Sequence, residues 1–266
     1  MRSLVIILVC ISTILHTNAA DDIVKIQNIY YKIIDCHAIV ICTPENNMKY
    51  SGYVKIPENI DFHGHKYTVS KIDDYAFFAC KELIRIELPN SIKSIGNRAF
   101  AGCNIEAVNI PEAVDSIFDF AFAECSNLKD IQFNKSISYI AASAFYGCTS
   151  LPIINGIRYA QNFLVCAVDH TLMEYKISKG TRWIGANAFS DNPNMTNLRI
   201  PKSVKVIGDF AFSNCTKLES VILPTSIEYI GNFAFSSCLS LRDINIPKDV
   251  KQFGQFVFHG CQYQLE

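Results

Sequence analysis

The residues best equipped for chemistry in this chain are its cysteines, and their spacing decides what they can do. Eleven are present. Seven of them, Cys80, Cys103, Cys125, Cys148, Cys215, Cys238 and Cys261, each stand three residues after a phenylalanine. So many cysteines suggest disulfides at first sight, but their positions argue otherwise. One cysteine per structural unit instead predicts a ladder facing inward, where the thiol behaves as a small hydrophobe. Neighbouring rungs are candidates for disulfides, but the geometry of that bond is demanding, and free buried thiols are expected. Asn192 takes the fifth rung, so a thiol is not essential there. Cys10, Cys36, Cys42 and Cys166 lie outside the ladder, and Cys36 and Cys42 flank an expected hairpin where they could pair with each other. The histidines at 37, 63, 65, 170 and 259 are scattered. His63-Gly64-His65 reads as a metal-binding pair or as a turn with two exposed histidines, and the turn is the expected reading. There is no Gly-x-Ser-x-Gly, no phosphate-binding glycine loop and no His-Glu-x-x-His, and the carboxylates do not recur as a paired motif. No catalytic residue, metal site or cofactor is expected, and the chain is read as a non-enzyme.

The elements that must position the ladder repeat with it. An Ala-Phe pair falls at Ala76-Phe77, Ala99-Phe100, Ala121-Phe122, Ala144-Phe145, Ala188-Phe189, Ala211-Phe212 and Ala234-Phe235, with Val257-Phe258 as a degenerate eighth copy. The phenylalanine steps are 23, 22, 23, 44, 23, 23 and 23 residues, so one step holds an insertion. A fixed period in the twenties means one short unit stacked on copies of itself. Leu218-x-x-Val221-x-Leu223-Pro224 has the alternation of a short strand, which proline then ends. Ser226-Ile227-x-x-Ile230-Gly231 is expected to turn the chain, with glycine accepting tight-turn angles. Ala-Phe-x-x-Cys is too short for a helix and fits a 3₁₀-like turn. No copy buries its apolar face alone, so stacked copies must share one core. Successive strands are predicted to form a parallel sheet about 4.8 Å apart, which makes eight coils a curved rod on the order of 40 Å long.

The phrase Leu-x-x-Ile-x-Ile-Pro-x-x-Val-x-x-Ile-Gly-x-x-Ala-Phe-x-x-Cys resembles the leucine-rich repeat of BspA-type surface antigens, found in oral and gut bacteria and in trichomonad parasites. The resemblance runs from about Ile56 to the C-terminus. It implies a repeat solenoid, a leucine-rich-repeat right-handed coil with a parallel β-sheet on its concave face and a β-rich N-terminal cap. It also implies a secreted or cell-surface protein that binds host proteins or other cells. Extracellular-matrix proteins such as fibronectin are typical partners of the bacterial members. The expected division is a signal peptide over 1–19, a β cap over 20–71 and a solenoid of about eight coils over 72–266, with a β-hairpin insertion near 152–182.

Within the cap, Asn28–Ile34 and Ala38–Ile41 read as strands about a turn at Asp35-Cys36-His37, and Tyr53–Pro57 and Lys66–Val69 as strands joined through His63-Gly64-His65. In the insertion, Asn155-Gly156-Ile157-Arg158-Tyr159 resembles the start of long repeats in the same family. Ile157–Tyr159, Phe163–Val165 and Leu172–Tyr175 carry strand patterns, and the hairpin either projects as a binding element or fills the solenoid wall. Trp183, the only tryptophan, is expected to pack against it.

Met1-Arg2-Ser3, the apolar run from Leu4 to Leu15 and the small residues at Thr17-Asn18-Ala19-Ala20 read as a secretory signal cut after Ala19. The apolar run is short for a membrane span, and no transmembrane anchor is expected in the mature chain. Half of the residues are hydrophobic and only 18% charged, which suits coils that are mostly interior. The formal net charge is −1 with both signs interspersed, which excludes the basic stripe needed for nucleic acid and the polybasic patch of a membrane-surface protein. Three sequons, at Asn134, Asn194 and Asn214, are candidate N-glycosylation sites in a eukaryotic secretory pathway. Asn134 replaces the usual proline after a strand and is expected to be the most exposed. Asn214 precedes a ladder cysteine and is expected to be poorly accessible.

Strand alternation directs Arg85, Glu87, Ala107, Asn109, Asp130, Gln132, Asn197, Arg199, Ser220, Ile222, Asp243 and Asn245 outward. These are the candidate ligand-binding residues of the concave face, polar and low in aromatics, with Arg85 and Arg199 the residue type that interfaces favour. The expected partner is a protein of the host matrix or cell surface. The alternative is a structural module that packs end to end with itself, or with a longer surface protein, through the eighth coil.

Overall fold

The computed structural model describes residues 22–42 and 50–263, so the expected signal peptide lies outside the described residues. Each repeat makes one coil with three walls, and the coils stack into a β-solenoid of about eight turns; no helix forms among the described residues.

The first wall is the strand before the proline. Ala107–Asn109 pairs in parallel with Asp130–Gln132, and Asn197–Arg199, Ser220–Ile222 and Asp243–Asn245 form a three-stranded parallel sheet. Only the middle residue of each three-residue strand is buried, because side chains alternate across a strand.

The second wall is a further run of parallel strands, divided between two sheets, that periodicity did not reveal. Its strands have two residues each: Ser94–Ile95, Ser116–Ile117, Tyr139–Ile140, Trp183–Ile184, Val206–Ile207, Tyr229–Ile230 and Gln252–Phe253. The stretch expected to be a simple turn therefore contains a ladder. Gly96, Gly185, Gly208, Gly231 and Gly254 follow five of these strands, with Phe118 and Ala141 after the other two, and none of the five glycines bends the chain through a left-handed turn. Gly208 faces the preceding coil so closely that a Cβ would lie 2.7 Å from Ala186 N and 2.8 Å from Ala142 Cβ. Hydrogen at this position is what lets coils approach.

The third wall is the Ala-Phe segment, which is a pair of tight turns and not a 3₁₀ helix. In the seventh coil Ser236 N donates to Phe233 O at 3.0 Å and Cys238 N to Phe235 O at 3.3 Å. The residue two before the phenylalanine is left-handed almost throughout, at φ 60° for Tyr75, 52° for Arg98 and 55–56° for Phe120, Phe210, Phe233 and Phe256. Bulky residues rarely hold that conformation. Here a backbone ladder holds it: Phe210, Phe212 and Asn214 donate to Asn232, Ala234 and Ser236 of the next coil at 2.9, 2.7 and 2.8 Å.

The core is the sum of the three walls. Phe77, Phe100, Phe122 and Phe145 stack with centroids 5.1, 5.2 and 5.6 Å apart, and Phe189, Phe212, Phe235 and Phe258 stack at 5.2, 4.9 and 5.6 Å. Burying one such ring is worth about 1.5–3 kcal/mol, and ring pairing adds about 0.5–1.5. Beside them the cysteines form the ladder expected, all as free thiols. Each thiol after the first donates to the carbonyl of the phenylalanine one coil back, as Cys103 does to Phe77 O at 3.0 Å and Cys238 to Phe212 O at 3.1 Å. Burial pushes the Cys125 thiol up to about 12, which keeps it protonated and unreactive. Cys36 and Cys42 are exposed free thiols.

Residues 151–182 interrupt all three walls. Ile153–Ile154, Ile157–Ala160 and Phe163–Ala167 make an antiparallel meander, and Phe163–Ala167 then pairs in parallel with Trp183–Ile184. The insertion thus contributes a strand to the second wall. Trp183 is buried in that pairing, with the Arg182 guanidinium 4.4 Å over its ring. Leu172–Tyr175 forms no strand, only a parallel bridge from Glu174 to Asn197. The phenylalanine stack divides here. Phe163 meets Phe145 edge-on at 5.3 Å and Tyr175 meets Phe189 edge-on at 5.1 Å, and the buried side chains fall into two clusters on either side. Asn192 is the polar rung at this place, and its Nδ2 donates to Tyr175 OH at 2.5 Å.

Before the first coil, Asp22–Ile26, Ile29–Ile34 and His37–Ile41 form an antiparallel meander that joins the second wall through His65–Ile72. The first of these strands was not anticipated. His63 and Gly64 form the turn expected of them, at φ 51° and 76°.

Candidate protein-binding face

The strand wall positions the candidate residues by alternation alone. Val108, Ile131, Leu198, Val221 and Ile244 point inward and are buried. Their neighbours Arg85, Glu87, Ala107, Asn109, Asp130, Gln132, Asn197, Arg199, Ile222, Asp243 and Asn245 are exposed, and Ser220 is half-buried. The structure does not join them into one sheet. Gly52–Lys55 pairs with Leu83–Glu87, a second pair carries Asn109 and Gln132, and a third group carries Asn197 to Asn245.

Each group has its own chemistry. In the first, Lys55 Nζ lies 2.8 Å from the Glu87 carboxylate, Tyr53 OH donates to the same carboxylate, and the Arg85 guanidinium sits 5.7 Å over the Tyr53 ring. The bond from Lys55, then that from Tyr53, holds the Glu87 carboxyl below its ordinary value. Tyr53 is 54% exposed and supplies an aromatic that alternation had not singled out, because its strand belongs to the atypical first unit. In the second group Gln132 Nε2 donates to Asp130 at 2.7 Å. In the third, Ser220 Oγ donates to Asn197 Oδ1 at 2.8 Å, and Asn245 exchanges two 2.9 Å bonds with the Leu223 backbone, which makes it partly structural.

The third group also opens into a groove of about 1240 Å³, lined by Glu174–Ile177, Lys179, Gly180, Arg199–Ser203 and Ile222–Thr225. Of the expected residues only Arg199 and Ile222 line it. Lys176, Lys179 and Lys202 were missed because they lie in the insertion and after the strand proline, outside the alternating positions.

The sequons fall differently from expectation. Asn134 is buried: Nδ2 donates to Pro111 O and, at 2.8 Å, to Val114 O, while Oδ1 accepts from Ile137 N at 2.6 Å. It replaces proline by tying the chain with hydrogen bonds, and no glycan fits on it in the folded chain. Asn214 is exposed after all, with Nδ2 donating to Asp191 at 2.8 Å. Asn194 is half-buried and donates to His170 O at 3.1 Å.

Among the described residues no three histidine, cysteine, aspartate or glutamate side chains gather into a metal site, and no helix is long and apolar enough to cross a membrane.

A coil with a short strand, a proline stop, a Phe-Cys core and an outward polar strand face defines a leucine-rich-repeat solenoid. The chain belongs to the BspA-type leucine-rich repeat family, whose model matches residues 53–163 and 168–264 in six copies. Among solved structures it is similar to the pneumococcal vaccine antigen PcpA, at 21% identity over 91% of this chain and 80% of that one, with a TM-score of 0.45. It is similar to the leucine-rich repeat protein of T. pallidum at 25% identity, over 87% and 86% of the two chains, TM-score 0.38. A leucine-rich cell-surface protein of Faecalibacterium prausnitzii is similar at 20% identity, over 92% and 88%, TM-score 0.38. No curated protein matches the chain.

Proposed function

We propose that this chain is a secreted or cell-surface binding protein without catalytic activity, and that its strand face takes a protein partner of the host or of a neighbouring cell. The observation that supports this most directly is the strand face itself. It spends one residue in two on exposed polar groups that contribute nothing to the core, and it opens into a groove at Arg199. The family resemblance supports the surface location and the matrix-protein class of partner. The test is capture of matrix proteins or epithelial cells by the purified chain. Saturable binding that weakens on Arg85→Ala and Arg199→Ala is expected. Absence of saturable binding, or binding indifferent to both changes, overturns the reading.

A second reading, end-to-end assembly, is favoured by one observation. On the eighth coil Phe256 is 60% and Phe253 37% exposed, and Phe256 continues an outward stack with Phe233 and Phe210. Light scattering decides: a concentration-dependent rise in mass that Phe256→Ser abolishes is expected, and a monomer at every concentration overturns it.

A further inference from the structure

The groove beside Arg199 has a cause in the backbone. At three other strand ends the residue donates to the next strand, Ile56 N to Glu87 O at 3.0 Å, Ile110 N to Gln132 O at 2.9 Å and Ile200 N to Ile222 O at 3.2 Å, and at two more Phe133 N and Leu223 N are met by the Gln161 and Asn245 side chains. Ile177, the corresponding residue of the insertion, makes no such bond, and only the bridge from Glu174 to Asn197 joins the two segments. Beyond Glu174 they part. Ser203 records the same separation. Ser91 and Ser226 donate to Val69 O and Val204 O of the coil before them, at 2.6 and 2.7 Å, whereas Ser203 Oγ is buried without a partner.

The slit has cations on both sides. Lys176 and Lys179 stand on one bank and Arg199 and Lys202 on the other, all four exposed and, among the described residues, none in an ion pair. Among the described residues Glu174 is the only acid that lines it. In a chain of net charge −1, four cations about one groove are a local concentration and not a general bias. The floor is apolar, with Ile177, Ile200, Leu223 and Pro224 buried beneath it and Ile222 49% exposed at its end.

We propose that this groove binds an extended acidic polypeptide segment whose carboxylates flank an apolar side chain. The carboxylates meet the two banks, with the Arg199 fork able to hold one bidentately. The apolar side chain covers Ile200, Leu223 and Ile222, a surface that a sulfated glycan cannot use. The Ser203 hydroxyl is a donor that a segment entering the slit can satisfy. The inference rests on the strand-face reading above and names the chemistry of the partner.

The test is fluorescence anisotropy of the mature chain with three labelled peptides of about ten residues: one alternating glutamate with leucine, its glutamine isostere, and the acidic peptide with serine for leucine. A heparin fragment is the fourth probe. The acidic leucine peptide is expected to bind at least roughly tenfold more tightly than either variant peptide and to weaken as salt rises. Lys179→Glu with Lys202→Glu is expected to remove that binding, and Ile222→Ser to weaken it several-fold. Both changes are on exposed side chains, and circular dichroism verifies the fold. Equal binding of the glutamine peptide, indifference to charge reversal, or tight binding of heparin with none of the leucine peptide overturns the proposal. If matrix capture is sensitive to Arg85 and Arg199 while the acidic peptide fails to bind, the groove proposal falls and the strand-face reading stands.

Discussion

The regular coils and the insertion at 151–182 solve the same problem in two ways. In a regular coil every position has a copy above and below, so one residue type recurs from rung to rung: phenylalanine on phenylalanine, thiol on carbonyl and, in most coils, glycine against backbone. At the insertion the copy is missing on one side, and each position finds a private substitute. Phe163 and Tyr175 close the two ring stacks edge-on, Asn192 replaces the thiol to meet Tyr175 OH, and Phe163–Ala167 supplies the absent strand of the second wall. The strand wall is held there only by the bridge from Glu174 to Asn197, and the groove opens beside it. Repetition yields stability, and departure from it yields a site with individual character.

Breaking a regular rung is expected to cost most. Phe100→Ala or Phe212→Ala removes a fully buried ring from the middle of a stack and should lower stability by about 3–5 kcal/mol in denaturant titration. A loss below about 1 kcal/mol would mean the stacks are not continuous cores. Next comes the approach of coils. Gly208→Ala places a methyl against backbone of the preceding coil and should cost about 1–3 kcal/mol, as overpacking does. Gly180→Ala at the groove has φ 90° and open space, so it tests backbone strain without a clash. Its loss should be smaller, and equal losses would remove the distinction between the two kinds of glycine.

A finer comparison exchanges rungs. Asn192→Cys restores the regular residue where its regular partner is absent. It takes a donor from Tyr175 OH and should destabilise by about 1–2 kcal/mol, whereas a gain would show that the asparagine answers no local need. The smallest effect concerns charge on the second wall. Lys205 and Lys251 both lie 2.7 Å from the Glu228 carboxylate, and the bond from Lys205, then that from Lys251, lowers its pKa from 4.5 to about 2. A carboxyl lowered by folding stabilises the folded state above pH 4.5 and loses that contribution as pH falls toward 2. The Glu228 side chain is 35% exposed and its two lysine partners more so, and solvent screening limits the effect to below about 1 kcal/mol. Glu228→Gln should flatten stability over that interval, which acid titration of the unfolding midpoint checks.

Most of the fold was legible in the sequence because repetition multiplies every signal. The period, the strand with its proline, the inward thiols and the outward strand residues follow from spacing and residue type. What was not legible has physical reasons. Two-residue strands are too short to show alternation, so the second wall was read as a turn. A glycine such as Gly208 looks like a bend until its contact with the preceding coil is seen. Asn134 looked exposed because its three hydrogen bonds reach residues 20 to 23 positions away as well as its own turn. The groove was illegible for a stronger reason: it is made by the failure of one segment to follow the repeat.

The claim at the centre is that binding specificity sits chiefly where the repeat is broken, with the regular strand face contributing less. The direct measurement is capture of a matrix or cell-surface partner by two charge-reversed forms, Arg199→Glu in the groove and Arg85→Glu on the regular strand face, each with its fold verified. The account expects Arg199→Glu to lose at least tenfold more capture than Arg85→Glu, a difference of about 1.4 kcal/mol or more. An equal loss, or a larger one at Arg85, would contradict it.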